Sequence, residues 1–351
     1  MRLSPLAMKQ WQRFRSIKRG YWSAIMLVVL LVLSLFAEVF VNNRALVVSY
    51  EGQLYFPTYA AFIPGRTFGL DYEYETNYRD LARSLKQDPA SGNWVLMPPV
   101  PYSALENDLS EVLGAKPFTP PSIANGHYLG TDTTGRDVLA RLFYGFRLAM
   151  GFALLLLVSN YVIGIAVGCA MGFWGGLFDL IFQRIIEIWN NVPFLYVIMI
   201  VASIVVPSFW TLIAVMVLFG WTGMTWYMRT STYKEKAREY VSAARALGAS
   251  NTRIIFGHIL PNTISVIVTF VPFSVAGGIT ALTALDYLGF GLPPPTPSWG
   301  ELLAQGTSHV HEAPWIVASV VSAMVVILLM VTYVGEAIRE AFDPKQFSYY
   351  E

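Results

Sequence analysis

The chain has 351 residues, of which 55% are hydrophobic and 13% charged, with a net charge of +1 and a mean hydropathy of +0.48. A soluble domain carries about a quarter charged residues, so an ordinary soluble enzyme is excluded. The near-neutral balance also excludes a disordered or nucleic-acid-coating chain. Cys169, the single cysteine, lies in an apolar run. It forms no intrachain disulfide or thiolate cluster and reads as a small packing residue.

The first 20 residues hold Arg2, Lys9, Arg13, Arg15, Lys18 and Arg19 and no acid. The apolar run 21–41 that follows reaches about 30 Å as a helix, the thickness of a hydrocarbon core. It is longer than a signal-peptide core and ends in Glu38-Val39-Phe40, so it reads as an uncleaved span with its basic flank in the cytoplasm. Further spans are expected at 147–172, 180–206 (broken by Pro193), 209–228, 262–284 and 315–335. The expected fold class is therefore all-α integral membrane, with six transmembrane helices and both termini cytoplasmic. Its parts are a basic tail 1–20, the first span 21–41, an extracytoplasmic insertion with an interfacial helix 42–146, a five-helix core 147–335 and a cytoplasmic tail 336–351. Charge supports this orientation. Loop 229–261 carries Arg229, Lys234, Lys236, Arg238, Arg245 and Arg253 against Glu235 and Glu239, whereas in 42–126 nine acids face six bases.

Within the insertion, the alternation in 44–57 around Glu51-Gly52 predicts a hairpin, and 88–99 a further turn and strand. The aromatics Tyr50, Tyr55, Phe56, Tyr59, Phe62, Phe68, Tyr72, Tyr74 and Tyr78 are expected to pack this cap rather than to form a sugar or peptide face. Residues 130–137, GTDTTGRD, nearly match a phosphate loop, but Arg136 and Asp137 stand where lysine and a hydroxyl are needed. The better reading is helix initiation, with Thr131 or Asp132 as cap and an amphipathic helix at the outer interface that then turns into the second span.

The cytoplasmic segment 234–262 is the most informative. Tyr240, Ala243, Ala244 and Leu247 recur at helical spacing as a face of small and apolar residues, with Arg238, Ser242 and Arg245 on another side. Gly248 stops the helix, Ser250 or Asn251 caps a second one through Ile254, Ile255 and Ile259, and Pro261 turns the chain into the fifth span. The product is a helical elbow below the membrane, able either to bind lipid or to seat in a protein groove. Among polar residues near the spans, Asp179, Arg184 and Glu187 read as structural, with Arg184 paired to Glu187. Pro193, Pro207 and Pro272 are candidate kinks, and Gly277-Gly278 is a candidate site of close helix contact. His309, His311 and Glu312 are too few anchors for a metal, His127 stands alone, and no catalytic constellation is present.

This elbow resembles the coupling motif of ATP-binding-cassette importer permeases, Glu-Ala-Ala, three residues, Gly, nine residues, Ile-x-Leu-Pro. Ser242-Ala243-Ala244, Gly248 and Leu260-Pro261 fall at that spacing, with Ser242 in place of the glutamate and His258 in place of the isoleucine. Segments 129–147, 175–195, 288–306 and 335–344 resemble signatures of the dipeptide and oligopeptide branch. The long insertion with NWVLMPPVPYS looks most like the microcin C-type peptide importer permease. The resemblance implies that Tyr240, Ser242, Ala243, Ala244, Arg245, Leu247, Gly248, Leu260 and Pro261 couple to an ATPase subunit, and that Gly130, Asp132, Gly135, Arg136 and Asp137 form a family signature. It further implies an inner-membrane peptide permease that is not itself an enzyme and binds no cofactor, ATP and magnesium being used by partner ATPase subunits. Its other expected partners are a second homologous permease, an extracytoplasmic peptide-binding protein, membrane lipid and the peptide; nucleic acid is not one. The competing class, an ion-driven secondary transporter, would require inverted repeats and mid-span carboxylates that the sequence lacks.

Overall fold

The computed structural model describes residues 5–88, 91–108 and 116–342. Arg2, Glu111 and the tail beyond Phe342 lie outside the described residues. Helix α1 (Pro5–Ser16) precedes the first span, α2 (Lys18–Leu35), which continues after a break at Phe36 into the short α3 (Ala37–Phe40). The second span is α5 (Val138–Trp174), and the third is the pair α6 (Gly176–Asn190) and α7 (Phe194–Ile204), bent by 66° at Pro193. Then come α8 (Phe209–Lys236), a continuous helical stretch 251–287 that includes α11 (Leu260–Tyr287), and finally α13 (Pro314–Ala341). Among the described residues five helices are long and apolar enough to cross a membrane, six if the bent pair counts as one span. Pro207 falls in the connection before α8, so of the three candidate prolines Pro193 alone produces a break, while Pro272 lies buried within α11.

Two expected boundaries differ. Residues 138–146 do not turn into the span from a separate helix: they are the first turns of α5, whose 37 residues run about 55 Å. Val138, Ala140, Arg141, Leu142 and Phe146 are buried, and Leu139, Phe143 and Tyr144 are half-buried. Its cap is neither Thr131 nor Asp132 but Asp137, whose side chain accepts from the Ala140 N–H at 2.7 Å. At the other end of the core, α8 runs on to Lys236, so Arg229 and Lys234 belong to a helix rather than a loop.

The closest helix pair is α5 with α8. Gly164, Gly168 and Gly172 form a stripe at four-residue spacing, and a Cβ on each would come within 2.7, 2.5 and 2.5 Å of the carbonyl oxygens of Trp221, Thr225 and Arg229. The two backbones therefore touch, which only hydrogen side chains permit. Gly278 does the same within this chain, its missing Cβ facing Ala153 of α5 at 3.0 Å, whereas Gly277 faces open space. At the end of α8, Arg229 donates two hydrogen bonds to Asp179 of α6 at 2.5 and 2.6 Å, while Arg184 pairs with Glu187 at 2.5 Å as expected. Cys169 is buried and accepts a hydrogen bond from Thr232 at 3.4 Å.

The insertion is a small α/β cap. Strands β1 (Val47–Tyr50), β2 (Gln53–Tyr55) and β3 (Trp94–Leu96) form an antiparallel sheet in the order β2-β1-β3. The hairpin turn is Glu51-Gly52, both at positive φ (49° and 78°), the geometry of a tight two-residue turn. Helix α4 (Tyr78–Gln87) closes a core of Ala45, Val48, Phe68, Tyr78 and Leu81. Tyr50, Tyr55 and Tyr78 surround Phe68 edge-on, so the aromatic run does build the cap's interior. Tyr59 and Tyr74 remain mostly exposed.

Overpacking the α5–α8 contact should be costly. Gly168→Leu is expected to lose about 1–3 kcal/mol, read as a lower unfolding midpoint in detergent. Gly151→Leu, where an added Cβ meets nothing within 4 Å, should leave the midpoint unchanged.

Candidate functional site

Two assemblies sit at opposite ends of α5. Near Trp174 lies the elbow. Helix α9 (Glu239–Ala246) is followed by the short α10 (Asn251–Ile254), which Ser250 caps by accepting from the Arg253 N–H at 3.3 Å. Gly248 adopts φ +83°. The N–H of Ala249 donates to the Ala244 carbonyl and that of Gly248 to the Arg245 carbonyl, each at 3.0 Å. These two bonds are a Schellman motif, and they fix the angle between the two helices. The inward face differs from the sequence reading. Val241 and Ala244 are buried against Phe173, Ile254 and Ile259, and Tyr240 is half-buried with its hydroxyl donating to Glu235 at 2.7 Å. Ser242, Ala243, Arg245 and Leu247 point outward, Leu247 with 88% of its surface exposed.

Pro261 does not turn the chain. It sits in a helix that is continuous from 251 to 287, and residues 255–259 form one π-helical turn just before it. A proline ring collides with the carbonyl four residues back, here Gly257, and the wider turn relieves that collision. Leu260 is half-buried and Pro261 exposed. The elbow is thus joined without a loop to α11, and by a two-residue link to α8.

At the opposite end, residues 130–137 form a clamp. Gly130 and Gly135 take positive φ (76° and 82°). Asp132 Oδ1 accepts from the N–H groups of Thr134 and Arg136 at 2.8 and 3.0 Å, so the loop's own carboxylate fills the amide cradle that a phosphate would need. Arg136 Nε donates to Asp132 Oδ2 at 2.8 Å and its Nη2 to Glu301 at 3.2 Å. Glu301 belongs to α12 (Trp299–Ser308) and also accepts from Arg141, a side chain with no exposed surface. Two cations and two carboxylates thus balance inside the protein, which offsets the cost of burying any one of them. Thr133 donates to Gln305 of α12 at 3.0 Å, and Trp299 Nε1 to the Leu142 carbonyl at 2.9 Å.

His127 is not alone. It is buried between Asp137 (Nδ1, 2.8 Å) and Asp108 (Nε2, 3.3 Å), with its ring stacked on Tyr102 at 3.9 Å. Asp137 therefore both caps α5 and holds His127. Burial by itself would lower the imidazolium pKa, but the hydrogen bonds and charges of Asp108 and Asp137 outweigh it, and the net shift is upward from 6.5. His309 turns its Nδ1 to the Gln305 carbonyl at 3.1 Å, and among the described residues no group of three or more metal-type ligands converges.

Comparison with known proteins decides the family. A family profile described as binding-protein-dependent transport system inner membrane component matches residues 164–348. The chain belongs to that family. Over 98% of its length it is 38% identical to the peptidoglycan transport system permease protein YejE of Agrobacterium fabrum, covering 94% of that protein. It is 40% identical to the inner membrane ABC transporter permease protein YejE of Escherichia coli, over 98% of this chain and 99% of that one. The oligopeptide transport system permease protein OppC of Lactococcus lactis is 33% identical over 64% of this chain and 77% of its own. The chain is thus a multi-pass inner-membrane permease subunit and not an enzyme. ATP hydrolysis occurs in a partner ATPase, and a substrate-binding protein is a further component of such systems.

Two predictions arise at the outer end. Glu301→Gln leaves Arg136 and Arg141 underpaired and is expected to cost about 3–5 kcal/mol, measured as the unfolding midpoint in detergent. The raised His127 pKa means that its stabilisation is complete below about 6.5 and is lost as pH rises through the higher folded-state value. Stability of the wild type should therefore fall with rising pH above that point, and His127→Gln should remove that part of the dependence.

Proposed function

We propose that this permease moves peptides or peptide-like compounds into the cytoplasm, and that closure of the ATPase subunits drives it through α9. The observation that carries the coupling assignment is the elbow itself. A two-turn helix locked by its Schellman turn is stiff, presents Leu247 and Ala243 outward, and is covalently continuous with two spanning helices. Tyr240, Val241 and Ala244 brace it against the end of α5. Ser242, Ala243, Arg245, Leu247 and Gly248 form the seat for the ATPase, while Leu260 and Pro261 carry its movement into α11.

The orientation follows from charge: the basic N-terminus, the elbow and the C-terminal end of α13 lie on the cytoplasmic side, and the acidic insertion lies outside. In the assembled importer a second homologous permease completes the pathway, a binding protein delivers peptide to the outer face, and ATP with magnesium is held by the ATPase. The peptide class rests on relatives described as transporting peptidoglycan and oligopeptides. The clamp at 130–137 ties α5 to α12 and gives the outer end a rigid frame, so that movement at the elbow has something to act against.

The elbow is tested in reconstituted vesicles containing the complete importer. Leu247→Ala, at an exposed site, should weaken association with the ATPase by about 2 kcal/mol, some thirtyfold, without changing the permease's own unfolding midpoint. Gly248→Val forces a β-branched residue to positive φ and should abolish most peptide uptake while ATP hydrolysis persists. Normal uptake by Gly248→Val would contradict the assignment.

A further inference from the structure

At the midpoint of the apolar stretch 147–172, α5 carries Asn160. Its Oδ1 is buried and accepts no hydrogen bond among the described residues. In a membrane interior, where water offers no easy substitute, an amide oxygen left without a donor is unfavourable. Its amide lies over Gly220 of α8, where a Cβ would come within 2.3 Å of Nδ2, so the glycine makes room for it. Together with Tyr161, Gly223, Tyr227 and Ser274, these residues line a cavity of about 170 Å³ between α5, α8 and α11. Tyr161 and Ser274 already bond to each other at 2.8 Å, and Tyr227 stacks on Phe270 at a centroid distance of 4.0 Å with nearly half its surface exposed.

We infer that this cavity is a subsite of the translocation pathway that takes one backbone amide of the passing peptide, with Asn160 and Tyr227 as its hydrogen-bonding groups. This rests on the peptide-importer reading above. Three features argue for that occupant. No lining residue is charged, so the site favours a neutral polar group over a charged side chain or terminus. An amide side chain and a phenol each offer both donor and acceptor, matching an amide, which is also both. The volume suits a single peptide unit: ligand pockets that take a whole drug-sized molecule begin near 300 Å³. A site that reads the backbone and ignores side chains suits a carrier whose selectivity lies in an external binding protein. Gly223 also lines the cavity, and an added Cβ there meets nothing within 4 Å.

The test uses the complete importer, with both permeases, ATPase and binding protein, in proteoliposomes. Uptake of a tripeptide is compared with uptake of the same molecule having one backbone amide replaced by an ester. Taking the ratio of the two uptakes, variant against wild type, cancels the binding protein's own preference. Asn160→Leu, which removes the acceptor for the peptide N–H, should reduce the preference for amide over ester by about two- to tenfold, the worth of one neutral hydrogen bond, and Tyr227→Phe should lower uptake of both compounds. Gly223→Leu should lower uptake of both compounds by filling the cavity.

An unchanged amide preference in Asn160→Leu, or normal uptake by Gly223→Leu, would overturn the inference. So would loss of the second permease from the Gly223→Leu complex, since the face would then be a subunit interface. If the wild-type importer takes up no peptide at all, the peptide reading itself fails and this subsite with it.

Discussion

Backbone contact between α5 and α8 is the constraint on which the rest of the molecule depends. Helices in lipid gain little from burying apolar side chains against each other, because the surrounding chains are equally apolar. What remains is close packing and satisfied polar groups. The glycine stripe Gly164, Gly168 and Gly172 supplies the first by letting the carbonyls of Trp221, Thr225 and Arg229 approach to where side chains would stand. With α8 fixed in this way, Arg229 meets Asp179, which sets the start of α6. The two-residue link after Lys236 then places α9 beneath the end of α5, where Phe173 receives Val241 and Ala244.

The same long helix organises the outer end. α5 extends about 25 Å beyond what a 30 Å hydrocarbon core requires, and the excess is where the buried charges lie. Arg141 on α5, Arg136 and Asp132 in the preceding loop and Glu301 on α12 are mutually compensating. Such a cluster adds little net stability over an apolar equivalent, but it tolerates no partial loss. It therefore fixes one arrangement of loop, α5 and α12 rather than several. A rigid outer frame and a stiff inner elbow, joined by one helix, are what transmission of force across a membrane requires.

Much of this was legible in the sequence because it is local. Runs of apolar residues gave the spans, Pro193 the break in the third, Gly248 the end of α9, and Glu51-Gly52 the hairpin. What was not legible depends on partners far along the chain. Residues 138–146 look amphipathic, with Leu139, Leu142, Phe143 and Phe146 on one side, but the carboxylate that lets Arg141 be buried is Glu301, 160 positions away. His127 looked isolated because Asp108 and Asp137 reach it only after the loop folds. On α9, apolar content alone did not distinguish inward Val241 from outward Ala243 and Leu247; that choice is made by Phe173, from a different helix. The glycine stripe at 164, 168 and 172 was present as a four-residue repeat of small residues and could have been read as a close helix contact.

Coupling through α9 requires the exposed Leu247 to lie against the ATPase in the assembled importer. Its most direct test is cross-linking from a single thiol. With Cys169 replaced by serine, Leu247→Cys leaves one exposed cysteine, and Val241→Cys, at a buried position, serves as control. A short bifunctional reagent added to the complete importer should join Leu247→Cys to the ATP-hydrolysing subunit, and Val241→Cys should give no such product. Labelling of Leu247→Cys from the extracytoplasmic side, or cross-linking only to lipid or to the external binding protein, would contradict the account.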